Sequence, residues 1–382
     1  MSSNRADRLD HLETPALVLD ATVLDRNVER MRTRLAVHGV ALRPHVKTPK
    51  SIEVSRLTMA SPRGPITVST LKEAEAYFEH GVTDILYAVP IAPGKLEHVA
   101  DLRRRGADLQ ILVENVDTAR AVVARQHEFG SPFPTLIEID SDGHRSGIPP
   151  GDPRLMEVAE ILRSGEVPVR GVMTHAGSSY QCRSHDELRA KAEQERAAVV
   201  TSAAALRRAG HAAPVVSVGS TPTALFAEDL TGVTEVRAGV YVFFDLVMAG
   251  LGVCNLDEIA ISVLATVIGH RPDKGWIVTD AGWMAMSRDR GTAKQGLDQG
   301  YGAVCDLDGH PIADLVLADA MQEHGIVARR DGQPFDLARY PVGTLLRILP
   351  NHACATAAQH SEYQVVRGGR EIETVWPRFN GW

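Results

Sequence analysis

The sequence is poor in the features that stabilise small secreted proteins. Only four cysteines occur among 382 residues, Cys182, Cys254, Cys305 and Cys354, and no two of them form a C-x-x-C pair. Disulfide frameworks and structural zinc knots need closely grouped cysteines. The spacing therefore argues against both, and only Cys354 has a neighbour of chemical interest.

Long apolar runs and an excess of basic residues are also missing. No apolar stretch approaches the roughly 20 residues of a membrane-spanning helix, and residues 1–12 are too polar for a signal peptide. The net charge of −7 at pH 7 provides no basic surface for nucleic acid or anionic lipid. We therefore expect a cytoplasmic protein that binds neither a membrane nor nucleic acid.

The sequence does contain a regular alternation of short apolar strands and amphipathic helices. A first barrel strand leads into Lys47, and further strands are predicted at residues 66–69, 85–89, 109–113, 136–139, 171–174, 215–218 and 236–242. Helical patterns separate them at residues 71–79, 95–105, 118–129, 154–163, 186–208 and near Ala224. Eight parallel β-α units predict a closed (β/α)8 TIM-like barrel. A doubly wound open sheet is the competing fold, but no G-x-G-x-x-G follows the first strand.

A different pattern begins after Leu251. Strand-like segments now follow one another across turn residues, without clear helices, at residues 260–268, 275–280, 302–306, 315–318, 344–348, 363–366 and 371–376. This pattern predicts an antiparallel β domain. We expect residues 21–255 to form the barrel, residues 256–382 to form the β domain, and the strand within residues 1–20 to pack with the β domain.

Lys47 lies in a basic, proline-punctuated turn directly after an apolar strand. At the carboxyl end of a barrel strand a lysine can enter a dry pocket, where burial and neighbouring cations favour the free amine that Schiff-base chemistry requires. An ordinary surface lysine is the alternative, because Pro49 and Lys50 are typical loop residues.

The last two barrel strands end in residues that suit a phosphate group. Gly219, Ser220 and Thr221 precede a helix, and Gly239, Val240 and Tyr241 lie on the next predicted strand. Backbone N–H groups and hydroxyls in these two places can bind a dianion. A simple Gly-Ser-Thr helix cap is the alternative.

Further polar residues follow the fifth and sixth strands, and Arg237 lies on the eighth. Arg145 and Arg237 can donate to a phenolate oxygen or a ring nitrogen without losing a proton. Either arginine could instead pair with a barrel carboxylate such as Glu138 or Glu235. His175 and Tyr180 follow the sixth strand; His175 can stack on a ring or can be a satisfied polar residue.

The β domain contributes an H-x-C motif, His352-Ala353-Cys354. On an extended segment residues i and i+2 face the same side, so His352 and Cys354 could bind one ion together. Imidazole and thiolate suit zinc and related divalent metals, and water or substrate would complete the shell, as in catalytic sites. Simple core packing of Cys354 is the alternative.

Taken together, the motifs resemble the fold-type III pyridoxal-phosphate enzymes of the D-serine dehydratase and D-threonine aldolase family. They cover nearly the whole chain in order: Thr-Pro at 14–15, Arg-Pro-His-Val-Lys-Thr at 43–48, Asp-Gly-His-Arg-Ser-Gly at 142–147, Thr-His-Ala-Gly-Ser-Ser-Tyr at 174–180, Val-Gly-Ser-Thr-Pro-Thr at 218–223, Asp-Ala-Gly-Trp-Met-Ala at 280–285, Gln-Glu-His-Gly at 322–325 and Pro-Asn-His-Ala-Cys at 350–354. The occurrence of all these motifs in this order indicates the family far more specifically than any single motif does.

The resemblance implies an alanine-racemase-like barrel with a β domain, working as a head-to-tail homodimer. It implies that Lys47 forms the Schiff base. It also implies that His352 and Cys354 bind a divalent ion, which would be zinc, manganese, magnesium or cobalt. The cofactor, pyridoxal 5′-phosphate, would contact Arg145 and Arg237. Its phosphate would lie on the backbone at residues 219–221 and 239–240, with His175, Tyr180 and Tyr241 as further cofactor contacts.

The implied reaction is dehydration of a D-3-hydroxy amino acid, 3-hydroxyaspartate or serine, to a 2-oxo acid and ammonia. Two departures from the aldolase pattern favour this reaction: Pro49 replaces a second histidine, and Cys354 stands where aldolases tend to carry an aspartate. An aldolase that releases glycine and an aldehyde remains an alternative, as does a racemase. A non-catalytic pyridoxal-phosphate-binding protein would lack the β domain.

Overall fold

The computed structural model describes residues 7–382, whose strands and helices are numbered here in chain order. The strands are β1 (Ala16–Asp20), β2 (Ala41–Pro44), β3 (Ile66–Val68), β4 (Asp84–Pro90), β5 (Asp108–Val113), β6 (Thr135–Glu138), β7 (Val169–Met173), β8 (Val215–Val218), β9 (Glu235–Ala238), β10 (Ile261–Arg271), β11 (Trp276–Thr279), β12 (Gly302–Cys305), β13 (Pro311–Ala320), β14 (Gly325–Arg329), β15 (Leu345–Pro350), β16 (Glu362–Val366) and β17 (Ile372–Pro377). The helices are α1 (Ala21–His38), α2 (Ile52–Thr58), α3 (Leu71–Glu79), α4 (Leu96–Arg104), α5 (Val116–Phe129), α6 (Arg154–Ser164), α7 (His185–Arg208), α8 (Thr221–Phe226), α9 (Leu246–Gly250), α10 (Trp283–Met286) and α11 (Ala353–Ala357).

The chain divides into two compact units. One comprises the described residues up to Glu29 together with Val240–Asn380, and the other comprises Arg30–Gly239 with Gly381–Trp382. The domain limits at residues 20 and 255 stay predictions. The first six residues of the predicted N-terminal segment lie outside the described residues.

The unit around residues 30–239 is a parallel barrel. Its strands pair in the order β2-β9-β8-β7-β6-β5-β4-β3. The ring closes between β2 and β3, where His45 bridges Thr67 and the Val46 N–H donates to Thr67 O over 2.9 Å. The predicted TIM-like barrel is confirmed.

Local sequence explains why the helices of this barrel were predictable. Thr70, Asn115 and Ser184 each cap a helix by accepting the N–H of the residue three positions on. A hydroxyl or amide cap of this kind satisfies a donor that the helix itself cannot. Behind the caps, apolar residues recur at helical spacing, as on the buried face of α6. The observed α3 to α7 therefore agree with the predicted helices within two residues at each end.

The other unit is the predicted antiparallel β domain, and its central strands form a barrel. Strands β10, β11, β14, β13, β12 and β15 form a closed ring, because β10 pairs with both β11 and β15. Strand β1 pairs antiparallel with β10 and parallel with β16, and β17 extends the sheet. Leu9, Val18, Leu264 and Val366 pack together in its core.

Several local features differ from the sequence expectation. The strand predicted at 236–242 ends at Ala238 and gives way to a 3-10 turn over Val240–Val242, because the N–H groups of Phe243 and Phe244 both donate to Val240 O. Helix α2 and strand β14 were not predicted. Within residues 7–382 no helix has the length and hydropathy to cross a membrane.

Candidate active site

The turn that carries Lys47 follows β2 directly and is closed by backbone hydrogen bonds. The His45 N–H donates to Ala238 O over 2.8 Å, and the Lys50 N–H donates to Val46 O over 3.0 Å. Val46 and Thr48 are buried, whereas Lys47 is exposed. The dry pocket around Lys47 stays a prediction. As a turn residue between two buried neighbours, Lys47 keeps its amine accessible.

The two lysines of this turn have different surroundings. Lys50 Nζ lies 3.3 Å from Oε1 of Glu73, a carboxylate that is 1% exposed. Lys47 has no carboxylate within ion-pairing distance among residues 7–382. A buried ion pair holds Lys50 in place, so the amine of Lys47 is the one available to a ligand.

Positive charge collects at this end of the barrel. Burial lowers the pKa of His45 well below its usual value, and the charges of Lys47 and Arg237 lower it further. The pKa of His175 falls to about 3, mainly through burial, with smaller contributions from Lys47 and Arg145. Both imidazoles are thus neutral at physiological pH. The remaining cations favour an anionic ligand.

His175 is fixed by the loop after the neighbouring strand. Its Nδ1 lies 2.7 Å from Gly219 O, and since a carbonyl can only accept, Nδ1 carries the proton and Nε2 the lone pair. Tyr180, 37% exposed, lies with its ring centroid 6.5 Å from that of His175. The two rings therefore occupy one region of the barrel end.

The backbone N–H groups of Gly219 and Ser220, which were predicted to bind phosphate, already donate hydrogen bonds to side chains of this chain. The Gly219 N–H donates to Oε1 of Glu195 over 3.1 Å, and the Ser220 N–H donates to Oγ1 of Thr223 over 3.1 Å. Ser220 also caps α8 in a reciprocal capping box. The helix-cap alternative is correct for Ser220, and the predicted use of these two N–H groups is not supported.

The other members of the predicted phosphate set differ in position. Thr221 is the buried first residue of α8, and Val240 and Tyr241 are buried in the 3-10 turn after β9. Gly239 lies against the Lys47 turn, since an added Cβ would come within 2.9 Å of both His45 O and Thr48 Oγ1. Only glycine allows the backbone to come so close.

The two predicted cofactor arginines differ in exposure. Arg145 is 58% exposed in its side chain, and its Nη2 lies 3.8 Å from Oε1 of the buried Glu138. Arg237 is 3% exposed and donates to Ser217 Oγ over 2.5 Å and to Thr174 O. Arg145 therefore pairs with a barrel carboxylate, which was the alternative to cofactor binding. Arg237 connects the carboxyl ends of β7 and β8 through its hydrogen bonds.

His352 and Cys354 come together in the antiparallel unit, but on a different backbone from the one expected. The predicted extended segment is wrong: His352 precedes α11 and Cys354 lies in its first turn. The helix begins here because the buried Asp245 accepts the Ala353 N–H at Oδ2 over 3.0 Å. The side chains of His352 and Cys354 are still hydrogen-bonded to each other.

A carboxylate orients the histidine of this pair. His352 Nδ1 lies 3.1 Å from Oδ2 of Asp289, so Nδ1 donates and Nε2 is the nitrogen left for a metal. Burial lowers the pKa of His352, but Cys354, Asp289 and Asp245 raise it more, to about 11. The negative charge that stabilises the proton on His352 would also stabilise a divalent cation at this position.

The loop behind Asp289 is held by a buried amide. Asn351 Nδ2 donates to Asp289 O over 3.0 Å and to Gly300 O over 2.7 Å, and its Oδ1 accepts the Thr292 hydroxyl over 2.9 Å. Within residues 7–382 no cluster of three or more histidine, cysteine, aspartate or glutamate side chains is arranged to hold a metal. Two protein ligands leave coordination positions for water or substrate.

Comparison with known proteins agrees with this architecture. The model of the alanine racemase N-terminal domain matches residues 19–247, and the model of the putative serine dehydratase domain matches residues 260–366. The D-threo-3-hydroxyaspartate dehydratase of Delftia sp. (strain HT23) is 56% identical over 379 residues, which cover 98% of this chain and 100% of that enzyme. The chain belongs to the D-serine dehydratase family with an alanine-racemase-like barrel.

The chain is also similar to another member of the family and to solved structures. The D-serine dehydratase of Dictyostelium discoideum is 31% identical over 395 residues, covering 97% of this chain and 98% of its own. The solved Delftia structure has a TM-score of 0.96 at 55% identity, covering 99% of this chain and 100% of that one. D-threonine aldolase from Filomicrobium marinum has a TM-score of 0.80 at 26% identity, with 98% of each chain covered.

Membership in the D-serine dehydratase family implies a pyridoxal-phosphate cofactor and a metal ion. A cysteine-to-alanine variant of a D-threo-3-hydroxyaspartate dehydratase has been solved in a metal-free form. In this chain, the cationic barrel end and the close approach at Gly239 fit the dianionic cofactor. The His352 and Cys354 donors, with Asp289 behind the imidazole, fit a divalent ion.

Several supporting residues of the D-serine dehydratase fold went unrecognised in the sequence. Asp245 and Asp289 hold the H-x-C segment, Asn351 holds the loop behind Asp289, and Glu195 joins two barrel loops by accepting the N–H groups of Ala176 and Gly219. Each lies far in sequence from what it supports. The only local signal was turn chemistry, in which Asp289 accepts the Gly291 N–H.

Replacing Asp289 by asparagine should weaken metal binding about 10- to 100-fold, because the carboxylate fixes His352 and raises its basicity as a ligand. Competition with a chromogenic chelator measures this affinity directly. Asp298→Asn is the control, since Asp298 is a carboxylate of the same loop that pairs with Arg290. Equal metal affinity in Asp289→Asn and the unaltered protein would contradict the assignment.

Proposed function

We propose that the protein is a pyridoxal-phosphate- and metal-dependent dehydratase that converts D-threo-3-hydroxyaspartate to oxaloacetate and ammonia. The main support is the 56% identity to the Delftia dehydratase across the length of both chains. The His352–Cys354 pair supports it further, since a racemase of this fold has no need of a metal. D-Serine, which would give pyruvate, is the second substrate that we expect.

Lys47 is the proposed base. Its amine lies at the carboxyl end of β2, where it removes the proton from the α-carbon of the substrate. When bound, pyridoxal phosphate supplies an electron sink for the charge left on that carbon. Arg237, buried among the ends of β7 and β8, would face the ring nitrogen, and Arg145 the ring oxygen. The hydrogen bond from His175 Nδ1 to Gly219 O keeps its ring in a fixed orientation for stacking.

His352 and Cys354 act on the leaving group. Hydroxide leaves poorly, and a divalent ion supplies the Lewis acidity that assists its departure from the β-carbon. His352 would hold the ion through Nε2, because Asp289 holds Nδ1, and Cys354 would hold it through its thiolate. Water then departs, and the resulting enamine takes up water to give the 2-oxo acid and ammonia. Homodimerisation, implied by the resemblance, is also part of the proposal.

A product assay tests this function. The enzyme, loaded with cofactor and supplied with divalent ions, is given D-threo-3-hydroxyaspartate, D-serine and D-threonine in turn. We expect ammonia and a 2-oxo acid in equal amounts from the first two substrates. Glycine with glyoxylate would identify an aldolase, and the L-epimer a racemase. Either result would replace the dehydratase proposal.

A further inference from the structure

The substrate itself specifies where selectivity must arise, if the proposed dehydratase function holds. D-threo-3-hydroxyaspartate differs from D-serine by one carboxylate, and this group is bonded to the same β-carbon as the departing hydroxyl. A protein group that recognises the extra carboxylate therefore has to lie beside the metal ligands His352 and Cys354. Since carboxylates are best recognised by guanidinium groups, an arginine near this pair is the chemistry to seek.

Two arginines flank Asp289, the residue that holds His352. Arg290 is already committed: its Nη2 lies 2.9 Å from Oδ2 of Asp298, and its guanidinium covers the Tyr301 ring at 4.9 Å from the centroid. Arg288, by contrast, is exposed and has no ion pair or hydrogen-bonded side-chain partner among the described residues. Arg288 is thus the guanidinium of this loop that can accept a ligand.

The side chain of Arg288 is nevertheless oriented by a neighbouring aromatic ring. Its guanidinium carbon lies 5.2 Å from the centroid of the Trp283 ring. Such stacking orients the planar group while leaving its N–H donors at the edge free for a carboxylate. An arginine held by an aromatic face needs less ordering when the ligand arrives.

The backbone around Arg288 is fixed in an unusual conformation. Ser287, the preceding residue, has φ +76°, and its N–H donates to Trp283 O over 2.7 Å. On the other side, Asp289 donates its N–H to Ser287 Oγ over 3.3 Å and accepts Asn351 Nδ2 at its carbonyl over 3.0 Å. A non-glycine residue in this region of φ costs energy, and residues strained in this way cluster at functional sites. The turn therefore joins Arg288 rigidly to the residue that orients His352.

We propose that Arg288 determines substrate specificity by binding the β-carboxylate of D-threo-3-hydroxyaspartate. The bidentate donors of its guanidinium match the two oxygens of that carboxylate, and Trp283 holds the guanidinium plane. D-Serine lacks the group and gains nothing from Arg288. The residue thus converts a general D-3-hydroxy amino acid site into one that prefers a dicarboxylate.

Steady-state kinetics of Arg288→Ala test the proposal. We expect the ratio of kcat/KM for D-threo-3-hydroxyaspartate to that for D-serine to fall roughly 10- to 100-fold, mainly through KM, because one charged hydrogen-bonded contact is lost. Arg288→Lys should restore part of the ratio, since it keeps the charge without the bidentate geometry. Arg290→Ala is the matched control and should leave the ratio as it is.

A binding measurement separates this inference from the proposed reaction. D-Malate and 3-hydroxypropanoate are the deaminated analogues of D-threo-3-hydroxyaspartate and D-serine, and neither can react with the cofactor. Calorimetry on the metal-loaded holoenzyme measures the affinity for each analogue. We expect Arg288→Ala to weaken the binding of D-malate about 10-fold or more relative to the binding of 3-hydroxypropanoate. An unchanged preference in both assays would overturn the role of Arg288 even in an active dehydratase. If the unaltered enzyme forms no 2-oxo acid, the proposed function fails, and selective loss of D-malate affinity would still support a dicarboxylate site at Arg288.

Discussion

Lys47→Ala should abolish turnover and, with it, the visible absorbance of a cofactor covalently bound to the protein. Two functions would be lost together, the attachment of the cofactor and the removal of the α-proton. Proton transfer by a positioned side chain alone contributes up to about 10⁴-fold, so we expect activity to fall by at least that factor. Absorbance spectra and a coupled assay for the 2-oxo acid measure the two losses independently.

Lys50→Ala provides the matched control, because the two lysines share one turn. Lys50 is bound to the buried Glu73, so its loss should lower stability by leaving that carboxylate without its cation. Covalent cofactor binding should nevertheless persist in folded Lys50→Ala protein. If Lys50→Ala loses the absorbance and Lys47→Ala keeps it, the assignment of Lys47 is wrong.

The barrel was predictable because each of its signals is local. The segment 215–218 is the observed β8, and 71–79 is the observed α3, since short apolar runs and side-chain caps such as Thr70 act within a few residues. The alternation of such units then leaves few topologies. Helix α2 went unrecognised because it spans only seven residues and Ser51, its N-cap residue, makes no side-chain cap hydrogen bond.

The candidate site was less predictable, because its geometry depends on contacts between distant residues. Helix α11 begins where Asp245, more than 100 residues earlier in the chain, accepts the Ala353 N–H. No pattern around Cys354 reveals this, so an extended backbone was assumed. Likewise, Glu195 takes the Gly219 N–H that was assigned to phosphate. Local sequence gives the candidate ligands, whereas buried carboxylates elsewhere decide which donors remain available.

The metal pair leads to the second large effect. Chelation should lower the rate of dehydration about 10³-fold or more, since Lewis-acid assistance to a leaving hydroxide supplies several kcal/mol and each 1.4 kcal/mol is a factor of ten. The absorbance of the bound cofactor should remain, because Lys47 is not a metal ligand. Adding back divalent ions one at a time should restore the rate and identify the preferred metal.

Cys354→Ala should reproduce the chelated state without a chelator. It leaves His352 as a single protein ligand, so metal affinity and dehydration fall together, and chelation then has little further effect. Cys182→Ala is the control, as Cys182 is a half-buried cysteine of the barrel unit. The loss should be confined to bond breaking at the β-carbon: exchange of the substrate α-proton with solvent depends on Lys47 and should continue. If both exchange and dehydration stop, the ion is needed to bind or place the substrate; if neither changes, His352 and Cys354 have no part in the reaction.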